Sequence, residues 1–290
     1  MNASRFLKTP SGDLPFPAYV PVTTFGDKYP LDKLIQPYLP RLASAVMVSH
    51  HYAKQMDKRP RLPVMIDSGG FAALFEGSRI IEQDGVGLLE VNLGEEPETL
   101  TPWDVLEFQE EHADIAFTLD FPIPPGLAEK EAHLRQRCSI ENALWAINNR
   151  RRSDMCLYAC IQGWDVQSFV DAADQLASLP FDGFAIGGLV PRAKDWDYIS
   201  NVVTGVRDAI DDRPLHVFGL GNPQTTVSLF DLGVDSVDSS SYVRAAADGN
   251  SWVTGHKRQK HISTPERLLL ARENLAVVTV KRFPLSATAL

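Results

Sequence analysis

Cysteine is scarce: the 290 residues hold three, Cys138, Cys156 and Cys160, and no Cys-x-x-Cys. That excludes a disulfide framework and a closed structural zinc site, and it fits a reducing compartment. No apolar run approaches the roughly 20 residues a membrane helix needs. The opening Met-Asn-Ala-Ser-Arg-Phe-Leu-Lys-Thr-Pro lacks the apolar stretch of a signal peptide, so a cytoplasmic protein with no membrane partner is expected. Repeats, low-complexity tracts and a Ser/Gly/Pro-rich linker are missing too, which leaves no seam for a domain boundary. Positive charge is in short supply, since 28 Lys and Arg against 37 Asp and Glu give a net charge of −9. A nucleic-acid binder with this balance has to gather its cations in one local patch.

What is present is an alternation. Short β-rich apolar runs stand at 19–25, 45–49, 63–67, 115–120, 156–162, 183–187, 215–219 and 234–238. Segments with helical spacing of apolar residues lie between most of them, at 31–42, 102–112, 127–151, 166–179, 196–210 and 223–232. A further one at 265–275 follows Ser263-Thr264 as a cap. Strand and helix in alternation specify a parallel sheet with crossover helices, and eight such strands close most naturally into a (β/α)8 barrel of the TIM type. The chain therefore reads as one α/β domain over residues 1–290. The stretch 79–93 breaks the pattern: two β-rich segments flank Asp84-Gly85 and predict a hairpin with a type I′ turn, inserted after the third strand. The competing doubly wound sheet would need a dinucleotide fingerprint. Gly219-Leu-Gly221-Asn-Pro-Gln224 lacks the third glycine and comes late in the chain.

In such barrels the active site is built at the carboxyl ends of the strands. Those ends read Ser49-His50-His51, Asp67-Ser68-Gly69-Gly70-Phe71, Asp120-Phe121-Pro122, Gln162-Gly163, Gly187-Gly188, Phe218-Gly219-Leu220-Gly221 and Asp238-Ser239-Ser240-Ser241. One Asp at such a place is most simply a helix cap, and Asp-Ser-Gly-Gly a tight turn. Three aspartates with an amide and two glycine pairs at equivalent positions read instead as a site. Two carboxylates at one mouth suit displacement at a sugar carbon, one attacking the anomeric carbon while the other moves protons. Glycine pairs allow backbone N–H groups close to a flat ligand. Phe71 and Phe218 can sandwich a heterocycle, although core packing is the commoner fate of a Phe.

Asp67-Ser-Gly-Gly-Phe71, Ile161-Gln162-Gly163, Ile186-Gly-Gly-Leu189, Val217-Phe-Gly-Leu-Gly221 before Pro223, and Gly233-Val-Asp-Ser-Val-Asp238 stand in the order and rough spacing of the tRNA-guanine transglycosylase superfamily. The chain resembles that superfamily across residues 45–245 or so. The resemblance implies a (β/α)8 enzyme that exchanges guanine in a polynucleotide for a free 7-deazaguanine base. It implies Asp238 as the nucleophile at C1′ and Asp67 as the general acid/base. Ser68, Asp120, Gln162 and the backbone of Gly187, Gly188 and Leu189 would hold the base by its edges, with Phe71 and Phe218 on its faces. The chemistry agrees: an Asp accepts from the N–H and amino groups of a guanine edge, while an amide and a glycine N–H donate to its carbonyl.

Departures from the family pattern refine the expectation. The Cys-x-Cys-x-x-Cys plus His zinc site of the tRNA-acting members has no counterpart after Asp238, and Ser240-Ser241-Tyr242-Val243-Arg244 replaces Leu-Pro-Thr-Arg. Pro191-Arg192-Ala193 stands where bacterial members carry a Glu. These differences point to the DNA-modifying branch, with DNA as first partner and tRNA as second, and with no metal or other cofactor. The incoming base would be the neutral 7-cyano-7-deazaguanine, because burying an unpaired ammonium is costly. Helper proteins that open the duplex are candidate partners. Lys257, Arg258 and Lys260, in the densest basic run, are the candidate phosphate contacts, set against the usual reading of a charge run as a solvated loop. Two rivals remain. A non-catalytic accessory subunit would not need both Asp67 and Asp238, and an ordinary retaining glycosidase typically carries Glu. Cys156 and Cys160 share a strand face and read as small core residues, one of His50 and His51 reads as packing, and Arg150-Arg151-Arg152 reads as a helix C-terminus on the opposite face.

Overall fold

The computed structural model describes residues 5–24, 29–56, 58–91, 97–255 and 261–279. An antiparallel hairpin of β1 (Phe6–Thr9) and β2 (Gly12–Pro15) comes first, followed by β3 (Ala18–Pro21), β4 (Val46–Val48) and β5 (Val64–Ile66). An antiparallel insertion of β6 (Arg79–Gln83), β7 (Val86–Val91) and β8 (Glu98–Leu100) precedes β9 (Ile115–Phe117), β10 (Cys156–Ile161), β11 (Gly183–Ile186), β12 (Leu215–Val217) and β13 (Ser236–Ser239). Every residue of β3, β4, β5 and β9 to β13 is buried, as parallel strands covered on both faces require.

These eight strands pair in parallel in the order β3-β13-β12-β11-β10-β9-β5-β4. The ring closes between β3 and β4 at the bridge Val22–Met47, where the Thr23 N–H donates to the Met47 carbonyl at 2.9 Å. All eight predicted runs are barrel strands. The hairpin after the third strand is also present, with Asp84 at φ 53° and Gly85 at φ 78° as a type I′ turn demands. It extends further than predicted: β8 adds a third strand, and at three residues it is too short to show an alternation of its own.

Helices α1 (Pro30–Ile35), α2 (Leu39–Leu42), α3 (His50–Ala53), α4 (Pro102–His112), α5 (Glu129–Asn149), α6 (Val166–Ala177), α7 (Trp196–Ala209), α8 (Pro223–Asp231), α9 (Ser241–Ala247) and α10 (Thr264–Thr279) complete the elements. Their starts are written locally. Thr101 caps α4 ahead of Pro102, Asp165 and Ser168 form a capping box on α6, and Asn222 caps α8 ahead of Pro223. The helix predicted over 31–42 is instead α1 and α2 joined by a 3-10 turn at Gln36–Tyr38, because Pro37 and Pro40 have no N–H to give an α-helical ladder.

Inside the ring, Met47, Met65, Phe117, Tyr158 and Cys160 form one apolar filling, which Leu14 of the N-terminal hairpin joins. The outward residues of the same strands pack against the helices as a second cluster. Cys156 and Cys160 are free and buried in the filling, and burial pushes the Cys156 thiol up to about 12. No described helix is long and apolar enough to cross a membrane.

Candidate active site

A parallel barrel brings the carboxyl ends of all its strands to one mouth. Here they enclose a cavity of about 300 Å³ lined by Val22 after β3, Asp67 to Phe71 after β5, Asp120 and Pro122 after β9, and Gln162 after β10. Gly187 and Gly188 after β11, Phe218 and Gly219 after β12, and Asp238 in β13 complete the ring. Every predicted site residue from 67 to 238 therefore lines one cavity except Leu189. Its side chain is buried in the outer core and its carbonyl accepts from the Arg192 N–H at 2.9 Å, so Leu189 stands behind the lining rather than in it. Lys257, Arg258 and Lys260 lie outside the described residues.

Asp67 is held entirely by backbone. Ser49 caps α3, which leaves the first-turn N–H of His50 free, and that N–H and the Gly69 N–H both donate to Asp67 Oδ1 at 2.9 Å. Burial pushes the carboxyl up to about 7, the nearby charges of Asp238 and Asp120 add to the rise, and the two amides oppose it. The His50 ring is turned into packing, edge-on to Phe108 with centroids 5.1 Å apart, and burial holds it down at about 4. Neither His50 nor His51 lines the cavity.

Asp120 and Gln162 form a second unit. Asp120 accepts from Ser68 Oγ at 2.8 Å and from Gln162 Nε2 at 2.5 Å, and burial pushes its pKa up. Gln162 Oε1 is buried with no partner, a state that costs ~1–3 kcal/mol unless a ligand donates to it. Two glycines make this packing feasible. A Cβ at Gly70 would lie 1.8 Å from the Asp120 carbonyl oxygen, and one at Gly187 would lie 2.1 Å from Gln162 Nε2. Phe218 meets Phe117 edge to face at 4.9 Å, whereas Phe71 stands at the rim, 59% exposed.

Asp238 is held differently. Its Oδ1 accepts from the Gly219 N–H at 3.0 Å and lies 3.1 Å from His216 Nε2, while no described residue donates to its Oδ2. His216 was passed over in the sequence because it sits mid-strand; the available signal was a polar residue at the inward position of β12, between outward Leu215 and Val217. Two other contributors were also missed. Arg244 on α9 is the cation among the lining residues. Buried Gln109 donates from Nε2 to the carbonyls of Ile66, Asp67 and Phe117 at 3.0, 3.2 and 2.9 Å, tying the ends of β5 and β9 together. Among the described residues no group of three or more His, Cys, Asp or Glu is placed to hold a metal ion.

Comparison with known proteins agrees with this geometry. A family model described as queuine tRNA-ribosyltransferase matches residues 5–267. The queuine tRNA-ribosyltransferase of Thermosipho africanus is 31% identical over 200 residues, 65% of this chain and 52% of the relative. The tRNA-guanine(15) transglycosylase of Methanothermobacter thermautotrophicus is 31% identical over 193 residues, 64% of this chain and 26% of the relative. That of Methanobrevibacter smithii is 28% identical over 264 residues, 83% and 36% of the two chains. The matches thus span between about a quarter and about half of these relatives' length, and all three are named for tRNA rather than for the DNA that the sequence departures favoured. With nearly the whole barrel inside the family match and its strand-end motifs gathered at one mouth, the chain belongs to the queuine tRNA-ribosyltransferase family.

Proposed function

We propose that this chain exchanges a guanine in a polynucleotide for a free 7-deazaguanine base through a covalent glycosyl ester on Asp238. The observation that carries the reading is the meeting of Asp67, Asp120 and Asp238 with Gln162 and the Gly187-Gly188 pair around one cavity of about 300 Å³, at the small end of ligand sites. Asp120 accepts from the N–H and amino edge of the base, and the Gln162 amide, which has a second N–H beyond the one on Asp120, donates to its carbonyl.

The chemistry is a double displacement with retention. Asp238 Oδ2 forms a bond to C1′ as the bond to guanine N9 breaks. The electron pair stays on N9, which takes a proton from Asp67, a carboxyl that is partly protonated near neutral pH because its pKa is about 7. After guanine leaves, the incoming base gives its N9 proton to Asp67, its N9 attacks C1′, and Asp238 is released. With Asp67 and Asp238 taken up by the reacting bond and Asp120 by the base edge, and with no Glu in Pro191-Arg192-Ala193 after the glycine pair, no lining carboxylate is left to pair an ammonium, which favours a neutral incoming base such as 7-cyano-7-deazaguanine over an aminomethyl one. Arg244 at the rim is suited to a phosphate of the strand.

The names of the relatives make tRNA the polynucleotide of first choice. DNA is the second reading, favoured by Ser240-Ser241-Tyr242-Val243-Arg244 just past Asp238, where Leu-Pro-Thr-Arg would match the family pattern. Labelled guanine supplied in parallel with bulk tRNA, single-stranded DNA and duplex DNA separates them. Label in tRNA is the expected outcome, and label in DNA alone moves the substrate without touching the chemistry. No label and no covalent adduct on any of the three would overturn the enzyme reading in favour of an accessory subunit.

A further inference from the structure

His216 is an unusual filling for a barrel. It is fully buried, directed inward from β12, and its ring meets Phe117 at 5.2 Å and Phe218 at 4.8 Å between centroids. Its cross-strand partner in β13 is Ser236, and both ring nitrogens are engaged there: Nδ1 lies 2.8 Å from Ser236 Oγ and Nε2 lies 3.1 Å from Asp238 Oδ1. Hydrogen-bond chemistry orders this chain. A carboxylate only accepts, so Nε2 carries the hydrogen. In a neutral ring Nδ1 is then an acceptor, and the Ser236 hydroxyl donates to it. The Gly219 N–H reaches the same Oδ1 at 3.0 Å, so both fixed donors hold one oxygen of this cavity-lining carboxylate and no described residue donates to Oδ2.

We propose that His216 is the positioning residue for the nucleophile: with its Nε2–H fixed by the Asp238 carboxylate and its Nδ1 occupied by the Ser236 hydroxyl, it clamps Asp238 through Oδ1 so that Oδ2 alone is presented to C1′. The inference rests on the assignment of Asp238 as nucleophile made above. A buried His satisfied by two neighbours is otherwise no more than polar core filling, and that reading predicts loss of fold rather than loss of alignment. A carboxylate freed of one of two clamps samples other rotamers, and a misplacement of about 1 Å at a reacting atom costs on the order of 10²-fold in rate.

The test compares His216→Leu, which removes the donor, with His216→Gln, whose amide restores one, and with Ser236→Ala, which takes the hydroxyl donor away from Nδ1. Single-turnover adduct formation at saturating polynucleotide is expected to fall ~100-fold in the Leu variant and to recover to within ~10-fold in the Gln variant, with KM and guanine binding unchanged. Adduct formation at the wild-type rate in the Leu variant overturns the proposal. So does an equal loss of guanine binding in the Leu and Gln variants, which marks a structural role. Ring-nitrogen NMR reads the clamp without turnover. Wild type should carry hydrogen on Nε2 and Ser236→Ala should disturb that state, whereas an Nδ1–H tautomer in wild type overturns the clamp even if the Leu variant does not fold. Failure of wild type to form any adduct, with the Nε2–H tautomer in place, would count against the proposed function and leave the clamp standing.

Discussion

The barrel carries buried or partly buried aspartates at both ends, and the two sets are held in opposite ways. At the amino ends, Asp114, Asp182 and Asp235 stand just before β9, β11 and β13. Each accepts an early N–H of the neighbouring strand, from Val64 at 2.7 Å, Leu157 at 2.9 Å and Leu215 at 2.8 Å. Each also pairs with arginine: Asp114 with Arg59, Asp182 with Arg150 at 2.6 Å, Asp235 with Arg5 at 2.8 Å and Arg207 at 3.2 Å. At the carboxyl ends, Asp67, Asp120 and Asp238 are bonded by amides, a hydroxyl, a carboxamide and an imidazole, and no described Lys or Arg pairs with them. One residue type thus does two jobs. An arginine partner and a strand N–H tie a carboxylate down as a brace between strands, whereas one held without a cation keeps free lone pairs, and at Asp67 burial pushes the carboxyl up to about 7. The contrast is not absolute, since burial pushes Asp235 up even beside two guanidiniums. It is the geometric counterpart of the rule that the carboxyl face of such a barrel reacts while the amino face stabilises.

Substitutions at the two ends should therefore fail differently. The largest effect is expected at the upper end: Asp238→Asn should abolish both adduct and exchange, a loss of about 10⁴-fold or more, with a melting temperature close to wild type. An adduct trapped on that variant would assign the nucleophile elsewhere. Next comes Asp67→Asn, which should slow exchange by ~10²–10⁴-fold through lost proton transfer while leaving a trace of adduct detectable by mass spectrometry. At the lower end, Asp114→Ala leaves the buried Val64 N–H without its acceptor and half-buried Arg59 without its partner, and should cost on the order of 2 kcal/mol in denaturant unfolding. Its exchange rate per folded molecule should equal wild type. An upper-end variant that unfolds, or a lower-end variant that folds but does not react, breaks the comparison.

The upper end was legible in the sequence and the lower end was not, for a physical reason. Motifs such as Asp67-Ser-Gly-Gly-Phe71 and Gly187-Gly188 are contiguous because a strand end and its turn form one local unit, so most of the residues that line the cavity could be picked out as strand ends, while the roles proposed for them came from the family resemblance. The barrel itself was legible because strands buried on both faces are short continuous apolar runs. Contacts that join separate elements leave no such trace. Gln109 looks like one more polar residue on α4, although it ties the ends of β5 and β9, and His216 looks like an interruption of an apolar run. The pairing of Arg207 with Asp235 spans strand, helix and loop. Nor could residue type alone tell that Gly70 is required, since the oxygen its Cβ would strike belongs to Asp120, fifty residues on.

The smallest expected effect concerns stability and probes the contrast at its finest. Asp67 has a pKa of about 7 in the folded chain, against roughly 3.9 for an unfolded Asp. A folded value raised above the unfolded one means that the native state holds the proton more tightly. The contribution to stability is then fully present below pH ~4, declines as pH rises, and is gone above pH ~7. Asp67→Asn deletes this dependence while its amide oxygen can still accept from the His50 and Gly69 N–H groups. Wild type and variant should thus unfold alike near pH 4, and the variant should become the more stable by on the order of 1–2 kcal/mol at pH 8. That is below the ~4 kcal/mol of the full shift, because the cavity side of the carboxylate is open to solvent. Denaturant melts of both proteins from pH 4 to pH 8 measure the difference. A gap that stays constant across that range would mean that Asp67 ionises like a surface aspartate, and the distinction between a braced and an unbraced carboxylate would then have no energetic content at this position.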